Sequence, residues 1–185
     1  MAAQYPGSGR AKFELANALD YLGEKVQAIQ LYEEAIHIRP LRENEQPPMA
    51  LLPLADPSEN LVMNYLKRAK CYLAETNNEA VGVYVLLETR PDTVELVDVA
   101  VREDVQGQGI GKRLVLHAVE TAREARFRTI EIGTGNLSVG QILLYQKCGF
   151  RIVGVDTDFF VRHYDEPIYE NGIQCRDMIR LRRDL

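Results

Sequence analysis

The chain has 185 residues, of which 46% are hydrophobic, so we expect one domain of ordinary size with a small appendage. Its formal net charge of −5 argues against a nucleic-acid-binding surface and favours cationic small molecules as partners. No run approaches the roughly 20 apolar residues that cross a bilayer, and the opening MAAQYPGSGR has no apolar signal core, so we expect a cytoplasmic protein without membrane contact.

Residues 1–35 predict a helical hairpin that precedes a domain over residues 36–185. The stretch AKFELANALDYLGEKVQAIQLYEEAIHIRP has small residues, a central Gly23 and a closing Pro40 in the order typical of one tetratricopeptide repeat. A lone repeat cannot bury its apolar faces, so this arm is expected to pack on the domain or on another chain, as in a homodimer or a protein contact. A plain helical extension, or the remnant of a longer array, is the other interpretation.

From residue 36 onward, strands alternate with helices. QPPMALLPLAD and PSENLVMNYLKRA predict two helices, the second capped by Ser58, and IGKRLVLHAVETAREA and VGQILLYQKC predict two more. The predicted strands are AIHIRPL, then KCYLAET, EAVGVYVLLE and DTVELVDVAV as an antiparallel meander, then RTIEIGT, FRIVGV and DMIRLRR. This order predicts an α/β (α+β) domain.

A glycine-rich loop stands between the fourth strand and the next helix, with Gly107, Gly109 and Gly111 at alternate positions. Backbone N–H groups of such a loop bind phosphate at a helix N-terminus. A Walker loop is excluded because the glycines enclose three residues instead of four, and a dinucleotide fingerprint because Lys112 stands where its third glycine would be. The remaining pattern, Gln-x-x-Gly-x-Gly, begins at Gln106, and a flexible turn without a ligand is the other interpretation.

A second block, GTGNLSVGQILLYQKCGF, holds an Asn-containing turn and a helix ending in Tyr-x-x-x-Gly-Phe from Tyr145. Together the two blocks resemble the pyrophosphate loop and the following helix of the GNAT superfamily of acetyl-CoA-dependent N-acetyltransferases. The resemblance covers residues 38–185. It implies a mixed, mainly antiparallel central sheet flanked by helices, next to the N-terminal helical hairpin. It also implies acetyl-CoA as co-substrate and no metal.

The resemblance assigns the glycine loop and the fourth strand to the cofactor. Loop N–H groups would receive the pyrophosphate, and the strand backbone would pair with pantetheine as with an added strand. For Asn136, at the end of the fifth strand, a structural Asx turn is the other interpretation. The cofactor-binding residues expected are Val99, Val101, Gln106, Gly107, Gln108, Gly109, Gly111, Lys112 and Asn136.

Acetyl transfer to an amine requires a group that accepts the amine proton, and the resemblance implies a glutamate of the fourth strand. Glu95, eleven residues before Gln106, matches that position. On a regular strand Asp98 points to the opposite side, so only one of the two carboxylates is expected to face the cleft. Glu95 could instead be a surface carboxylate. Asp98 is expected to contact substrate or to accept a buried hydrogen bond.

Tyr145 is the candidate acid, because a phenol can donate a proton to the departing thiolate while it is itself uncharged at rest. The other interpretation is an aromatic side chain that packs against Phe150. The cysteines Cys71, Cys148 and Cys175 form no CxxC or Cys/His cluster. Reduced, packed thiols are therefore expected, with neither a disulfide framework nor a zinc site.

The segment DTDFFVRHYDEPIYENGIQCRD, residues 156–177, holds six carboxylates and two arginines, so nearly all of the formal charge lies there. Aromatic side chains interleave with these acids, which predicts a pocket for a cationic amine. A solvated acidic loop is the alternative. The substrate-binding residues expected are Asp98, Phe159, Phe160, His163, Tyr164, Asp165 and Glu166.

Two functions follow. The first is an N-acetyltransferase that transfers acetyl directly from acetyl-CoA to the primary amine of a small cationic molecule. The second is an acyl-CoA-binding sensor or adaptor whose arm contacts another protein. The glycine loop, the strand carboxylate and the tyrosine together favour the enzyme.

Overall fold

The structure is a computed structural model that describes residues 36–185 and, before them, residues 12, 15, 16 and 18. These four positions have helical backbone. The predicted hairpin over residues 1–35 otherwise lies outside the described residues. Its likeness to a tetratricopeptide repeat and its partner contact therefore stay predictions.

A seven-stranded sheet forms the centre of residues 36–185, in the order β1-β2-β3-β4-β5-β9-β6. Neighbouring strands pair antiparallel, apart from β4 and β5, which are parallel. The predicted sheet, mixed and mainly antiparallel, is confirmed. Its strands are β1 (His37–Pro40), β2 (Lys70–Thr76), β3 (Glu79–Arg90), β4 (Thr93–Val101), β5 (Thr129–Gly135), β6 (Arg151–Asp156) and β9 (Met178–Asp184), while a separate ribbon pairs β7 (Tyr169–Glu170) with β8 (Ile173–Gln174).

The α-helices of residues 36–185 are α1 (Glu59–Leu66), α2 (Ile110–Glu124), α3 (Val139–Lys147) and α4 (Phe159–His163). The Ser58 hydroxyl caps α1 and accepts from the Leu61 N–H at 3.4 Å. The helix predicted in QPPMALLPLAD is wrong, because three prolines remove backbone donors there and only a 3-10 turn over Leu52–Leu54 forms. No helix in the described part of the chain is long and apolar enough to cross a membrane.

Apolar cores lie on both faces of the sheet. On one face, α2 buries a stripe at helical spacing, namely Ile110, Leu114, Val115, Ala118, Val119 and Ala122. On the other face, Leu51, Leu52 and Val62 cover β2, β3 and β4. The central strand β4 is therefore covered on both sides, and a cavity beside it can open only where it parts from a neighbouring strand.

β4 carries the irregularity that opens the sheet. Its register with β3 shifts by one residue at Val97, which makes Val97 a β-bulge. Pairing with β5 ends just before the bulge, at Leu96. A bulged strand bends, so residues 97–101 run beside β3 alone and the sheet splays between β4 and β5.

The bulge also changes which side chains share a face. Leu96 and Val99 both belong to the core beneath α2. Asp98 pairs with Val85 of the opposite core, and Glu95, which alternates with Leu96, lies on that same face. The expectation that Asp98 points away from the face of Glu95 is therefore wrong, because the bulge places two successive residues on one side of the strand.

Candidate active site

Two cavities open at the splay between β4 and β5 and share a wall. The first, called the cleft, has a volume of about 430 Å³ and lies between β4, β5 and the loop before α1. The second, called the groove, follows the glycine loop to the start of α2. The residues that line both are Val99, Val101, Gln106, Gln141 and Tyr145.

The groove is built by the glycine loop and the first turn of α2. Gly107 and Gly109 have φ angles of +77° and +83°, in the left-handed region that favours glycine. Gly109 is the N-cap of α2 and offers no side-chain acceptor, and the first turn of the helix holds no acidic residue. The N–H groups of that turn are therefore open to an anion, and Lys112 adds positive charge beside them.

Seven of the nine residues predicted to bind the cofactor line the groove: Val99, Val101, Gln106, Gly107, Gly109, Gly111 and Lys112. Gln108 and Asn136 line neither cavity. The Asn136 side-chain oxygen instead accepts from the Asp177 N–H at 3.3 Å, which ties the end of β5 to the chain before β9. The groove also contains Gln141 and Leu144, which motif spacing did not indicate.

The outer edge of β4 turns backbone N–H and C=O groups toward the splay. The Arg102 N–H donates to the Val81 carbonyl at 2.9 Å, and backbone groups alternate along an antiparallel ladder. Val99 and Val101 therefore direct their N–H and C=O groups away from β3. The Gln106 side chain donates to the Val101 carbonyl at 2.9 Å and joins the glycine loop to this edge.

Three carboxylates line the cleft, and each comes from a different element. Asp98 belongs to β4, Asp56 to the loop before α1, and Glu170 to β7. No lysine, arginine or histidine of the described chain lines the cleft. The described residues also contain no cluster of three or more His, Cys, Asp or Glu side chains that could bind a metal ion. The cleft therefore concentrates negative charge without a cationic side chain.

Asp98 is the most deeply buried of these carboxylates, at 2% exposure. Its Oδ2 accepts from the Tyr65 hydroxyl at 2.8 Å, and its Oδ1 has no hydrogen-bond partner among the described residues. Burial raises the pKa of Asp98 to about 7, although the hydrogen bond from Tyr65 acts in the opposite direction. A carboxyl group with this pKa can take up and release a proton near neutral pH.

Glu95, predicted as the base, lines neither cavity. Its Oε1 accepts from Arg180 Nη1 at 2.9 Å. Arg180 also approaches Asp156 at 3.5 Å, and its guanidinium lies 5.3 Å from the ring centre of Phe159. Burial raises the pKa of Glu95, whereas the charge of Arg180 lowers it. Glu95 thus belongs to an ionic network that joins β4, β6, β9 and α4.

Tyr145, predicted as the acid, projects from α3 to the junction of the two cavities. It is 4% exposed, and its ring centre lies 6.4 Å from that of Phe150. Burial, and then the charge of Asp98, raise the pKa of Tyr145, so its hydroxyl keeps its proton at neutral pH. The predicted packing and the predicted donor role are therefore compatible in one side chain.

Two of the six acids of residues 156–177 pair with arginines of the same segment. Asp156 bonds Arg162, and Asp158 receives Arg176 at 2.6 Å. Of the aromatic and acidic side chains predicted there as substrate contacts, two line the cleft, Phe160 and Tyr164. The other four, Phe159, His163, Asp165 and Glu166, do not.

Asp56 is the cleft residue that sequence reasoning missed. Its Oδ1 accepts from the Ser58 N–H at 3.0 Å, and the Tyr164 hydroxyl is a second hydrogen-bonding neighbour. Burial raises the pKa of Asp56. Its context, LADPSEN, reads only as a turn before a helix, so no local pattern marks it as functional.

The chain resembles proteins of known sequence and known structure. The sequence profile of the acetyltransferase (GNAT) family matches residues 36–150. An uncharacterized N-acetyltransferase of Bacillus subtilis (strain 168), YvbK, is 62% identical over 135 residues, which are 73% of this chain and 87% of that protein. A Bacillus subtilis acetyltransferase solved in complex with CoA is 57% identical, with a TM-score of 0.77 over 81% of this chain and 99% of that chain. An acetyltransferase from Elizabethkingia anophelis with acetyl-CoA bound is 45% identical, with a TM-score of 0.80 over 81% of this chain and 98% of that chain.

Proposed function

This chain belongs to the GNAT family of acetyltransferases, and from that premise we propose that it transfers acetyl directly from acetyl-CoA to the primary amine of a small cationic acceptor. The observation that carries the proposal is the position of Tyr145, where the groove and the carboxylate-lined cleft meet. A thioester in the groove and an amine in the cleft would come together beside this one side chain.

The residues of the groove fit acetyl-CoA. Its pyrophosphate suits the open N–H groups at the start of α2, and Lys112 would balance part of its charge. The amides of its extended arm suit the outward N–H and C=O groups of Val99 and the outward N–H of Val101, as in other cases of strand addition. Relatives of 57% and 45% identity hold CoA and acetyl-CoA in their solved structures.

We assign the proton transfer at the amine to Asp98 instead of Glu95. The ammonium form of the acceptor is not nucleophilic, so it must lose a proton before or as it attacks. Asp98 lines the cleft, its Oδ1 has no hydrogen-bond partner within the described part of the chain, and burial raises its pKa to about 7. Glu95 is held by Arg180 and lines neither cavity.

Tyr145 completes the transfer. As the amine nitrogen bonds to the acetyl carbon, the carbon–sulfur bond breaks and the sulfur takes up the electron pair. The Tyr145 hydroxyl, which keeps its proton at neutral pH, donates to that sulfur. The first proton that leaves the acceptor nitrogen passes to Asp98 and from there to solvent. The second, which the nitrogen loses as the amide forms, restores the Tyr145 hydroxyl, so the protons balance without a covalent bond to the enzyme.

The charge of the cleft selects the acceptor. Among the residues that the structure describes, three carboxylates and no cationic side chain line it, so an ammonium group is attracted and a carboxylate beside the amine is repelled. Free α-amino acids should therefore be poor acceptors compared with aliphatic amines that lack a carboxylate.

The experiment is a panel of amines assayed for free thiol release from acetyl-CoA, with the acetylated product identified by mass spectrometry. We expect turnover with aliphatic amines and little with α-amino acids of similar size. A protein that binds acetyl-CoA but acetylates no amine would instead support the sensor or adaptor function.

A further inference from the structure

We infer that Asp56 forms a second anionic subsite in the cleft, and that the acceptor carries two cationic groups, an amine that reacts at Asp98 and a second cation held at Asp56. This inference rests on the proposed function, because it names the class of acceptor for the same site. The class is that of α,ω-diamines and longer aliphatic polyamines.

The first support is a free acceptor atom in the cleft wall. Asp98 is 2% exposed, and its Oδ1 has no hydrogen-bond partner among the described residues. A buried carboxylate oxygen without a donor is unfavourable unless a ligand supplies one. An ammonium group, which has only donors to offer, meets that requirement.

The second support is the way in which Asp56 is held. The Ser58 N–H donates to Asp56 Oδ1 at 3.0 Å, and the Asp56 N–H donates to the Leu52 carbonyl at 3.2 Å. Leu52 is fully buried, so the loop that carries Asp56 is anchored in the core. A carboxylate fixed in this way is arranged for binding before the ligand arrives, which reduces the entropy lost on binding.

The third support is electrostatic. Asp56 is close enough to Asp98 for its charge to raise the pKa of Asp98, yet no arginine, lysine or histidine of the described chain lines the cleft to balance the two carboxylates. Each of the three acids accepts hydrogen bonds from neutral groups, as Glu170 does from the Ser138 hydroxyl at 2.8 Å, but these bonds leave its charge unbalanced. Cationic groups of the acceptor are therefore the natural partners of Asp56 and Asp98.

The reaction itself gives the two cations of the acceptor different fates. The attacked nitrogen becomes a neutral amide, so its attraction to Asp98 disappears during turnover. A second cation keeps its charge from binding to product and continues to neutralise Asp56 throughout. It lowers the free energy of bound substrate and transition state alike, and its contribution should therefore appear in KM and leave kcat nearly unchanged.

The test compares butane-1,4-diamine with 1-aminopentane, which has the same count of non-hydrogen atoms but one cation, and then extends to α,ω-diamines of increasing chain length. For the best diamine, Asp56→Asn should raise KM by about tenfold, the effect of one hydrogen bond to a charged group. At a pH well above about 7, where Asp98 is ionised in both proteins, KM for 1-aminopentane should rise by a clearly smaller factor than KM for the diamine, and the ratio of the two kcat values should stay as in wild type. Asn at this position can still accept from the Ser58 N–H, so the loop should keep its fold.

Asp92→Asn is the matched control. Asp92 is exposed in the turn between β3 and β4, where its φ of 61° also suits asparagine, and it lies outside the cleft. This variant should leave the preference for diamines intact. Should Asp56→Asn fail to fold, the wild-type protein still gives a readout, because kcat/KM should fall more steeply with ionic strength for the diamine than for the monoamine.

The outcomes separate the two ideas. Acetylation of no amine at all would overturn the proposed function. Equal kcat/KM for diamine and monoamine would overturn the second subsite and leave the N-acetyltransferase function standing. An equal rise of KM for both amines in Asp56→Asn would likewise overturn it, because a merely structural role of Asp56 predicts that result.

Discussion

Replacing Asp98 by asparagine should make the protein increasingly stable relative to wild type as the pH rises, while it lowers activity. Folding raises the pKa of Asp98 from 3.8 to about 7. A carboxyl group with a raised pKa holds its proton more tightly in the folded chain, so its contribution to stability is present at low pH and is lost as the pH rises from about 4 to about 7. At about 1.4 kcal/mol for each pH unit, the loss reaches about 4 kcal/mol above pH 7.

Asparagine has no charge to bury, and its side-chain oxygen can still accept from the Tyr65 hydroxyl, which bonds Asp98 at 2.8 Å. Relative to wild type, the free energy of unfolding of Asp98→Asn should therefore rise by about 3 kcal/mol between pH 5 and pH 8. kcat should fall by about 10²-fold to 10⁴-fold, the usual contribution of a general base. The wild-type profile of kcat/KM should decline below pH about 7.

The assay is urea denaturation of both proteins at pH 5, 6, 7 and 8, beside initial rates of thiol release over the same range. Asp92→Asn serves again as the control, and its stability relative to wild type should not grow with pH by a comparable amount. A constant stability difference between Asp98→Asn and wild type would contradict the raised pKa. A variant that retains wild-type kcat would remove Asp98 from the proton transfer.

Four further substitutions test other parts of the site. Gly109→Val places a branched side chain at a φ of +83° beside the groove and should weaken acetyl-CoA binding by at least about tenfold in calorimetry, while unchanged affinity would reject the phosphate loop. Tyr145→Phe should lower kcat and leave acetyl-CoA affinity close to wild type. Unchanged turnover, with chemistry rate-limiting, would mean that water or another group protonates the thiolate. Glu95→Gln should leave the acidic limb of the pH–rate profile in place, and loss of that limb would assign the proton transfer to Glu95. Gly82→Ala puts a methyl group 2.9 Å from Leu114 Cδ1, beneath α2. It should lower the free energy of unfolding, measured in urea, by about 1–3 kcal/mol. An unchanged midpoint of unfolding would mean that α2 shifts to accommodate the methyl group without loss of stability.

The parts of this protein that the sequence determined by itself are those whose physical cause is local. The spacing of apolar residues predicted α2 and the meander of β2, β3 and β4 to within a few residues. The sequence also predicted the glycine loop, because that loop acts through backbone N–H groups and positive φ angles, and glycine is the residue that adopts such angles. The 3-10 turn at Leu52–Leu54 shows the limit, since the apolar run there suggested a helix that nearby prolines prevent.

Only the tertiary structure decided which carboxylates share the cleft. The bulge at Val97 has no signal in VELVDVAV, a run without glycine or proline, because a bulge is a mismatch with the neighbouring strand. That mismatch moves Asp98 onto the face of Glu95 and opens the sheet beside it. The strand alternation assumed from sequence alone could not anticipate either consequence.

The tertiary structure also decided which charged side chains line the cleft. The acidic segment 156–177 was conspicuous in the sequence, yet of its six carboxylates Glu170 alone lines the cleft, and Asp156 and Asp158 pair with arginines of the same segment. The cleft receives Asp56 from a loop more than 40 positions before Asp98 in the chain. A sequence shows how many charges a segment carries, but ion pairing and burial, which decide whether a charge acts on a ligand, depend on the residues that folding brings together.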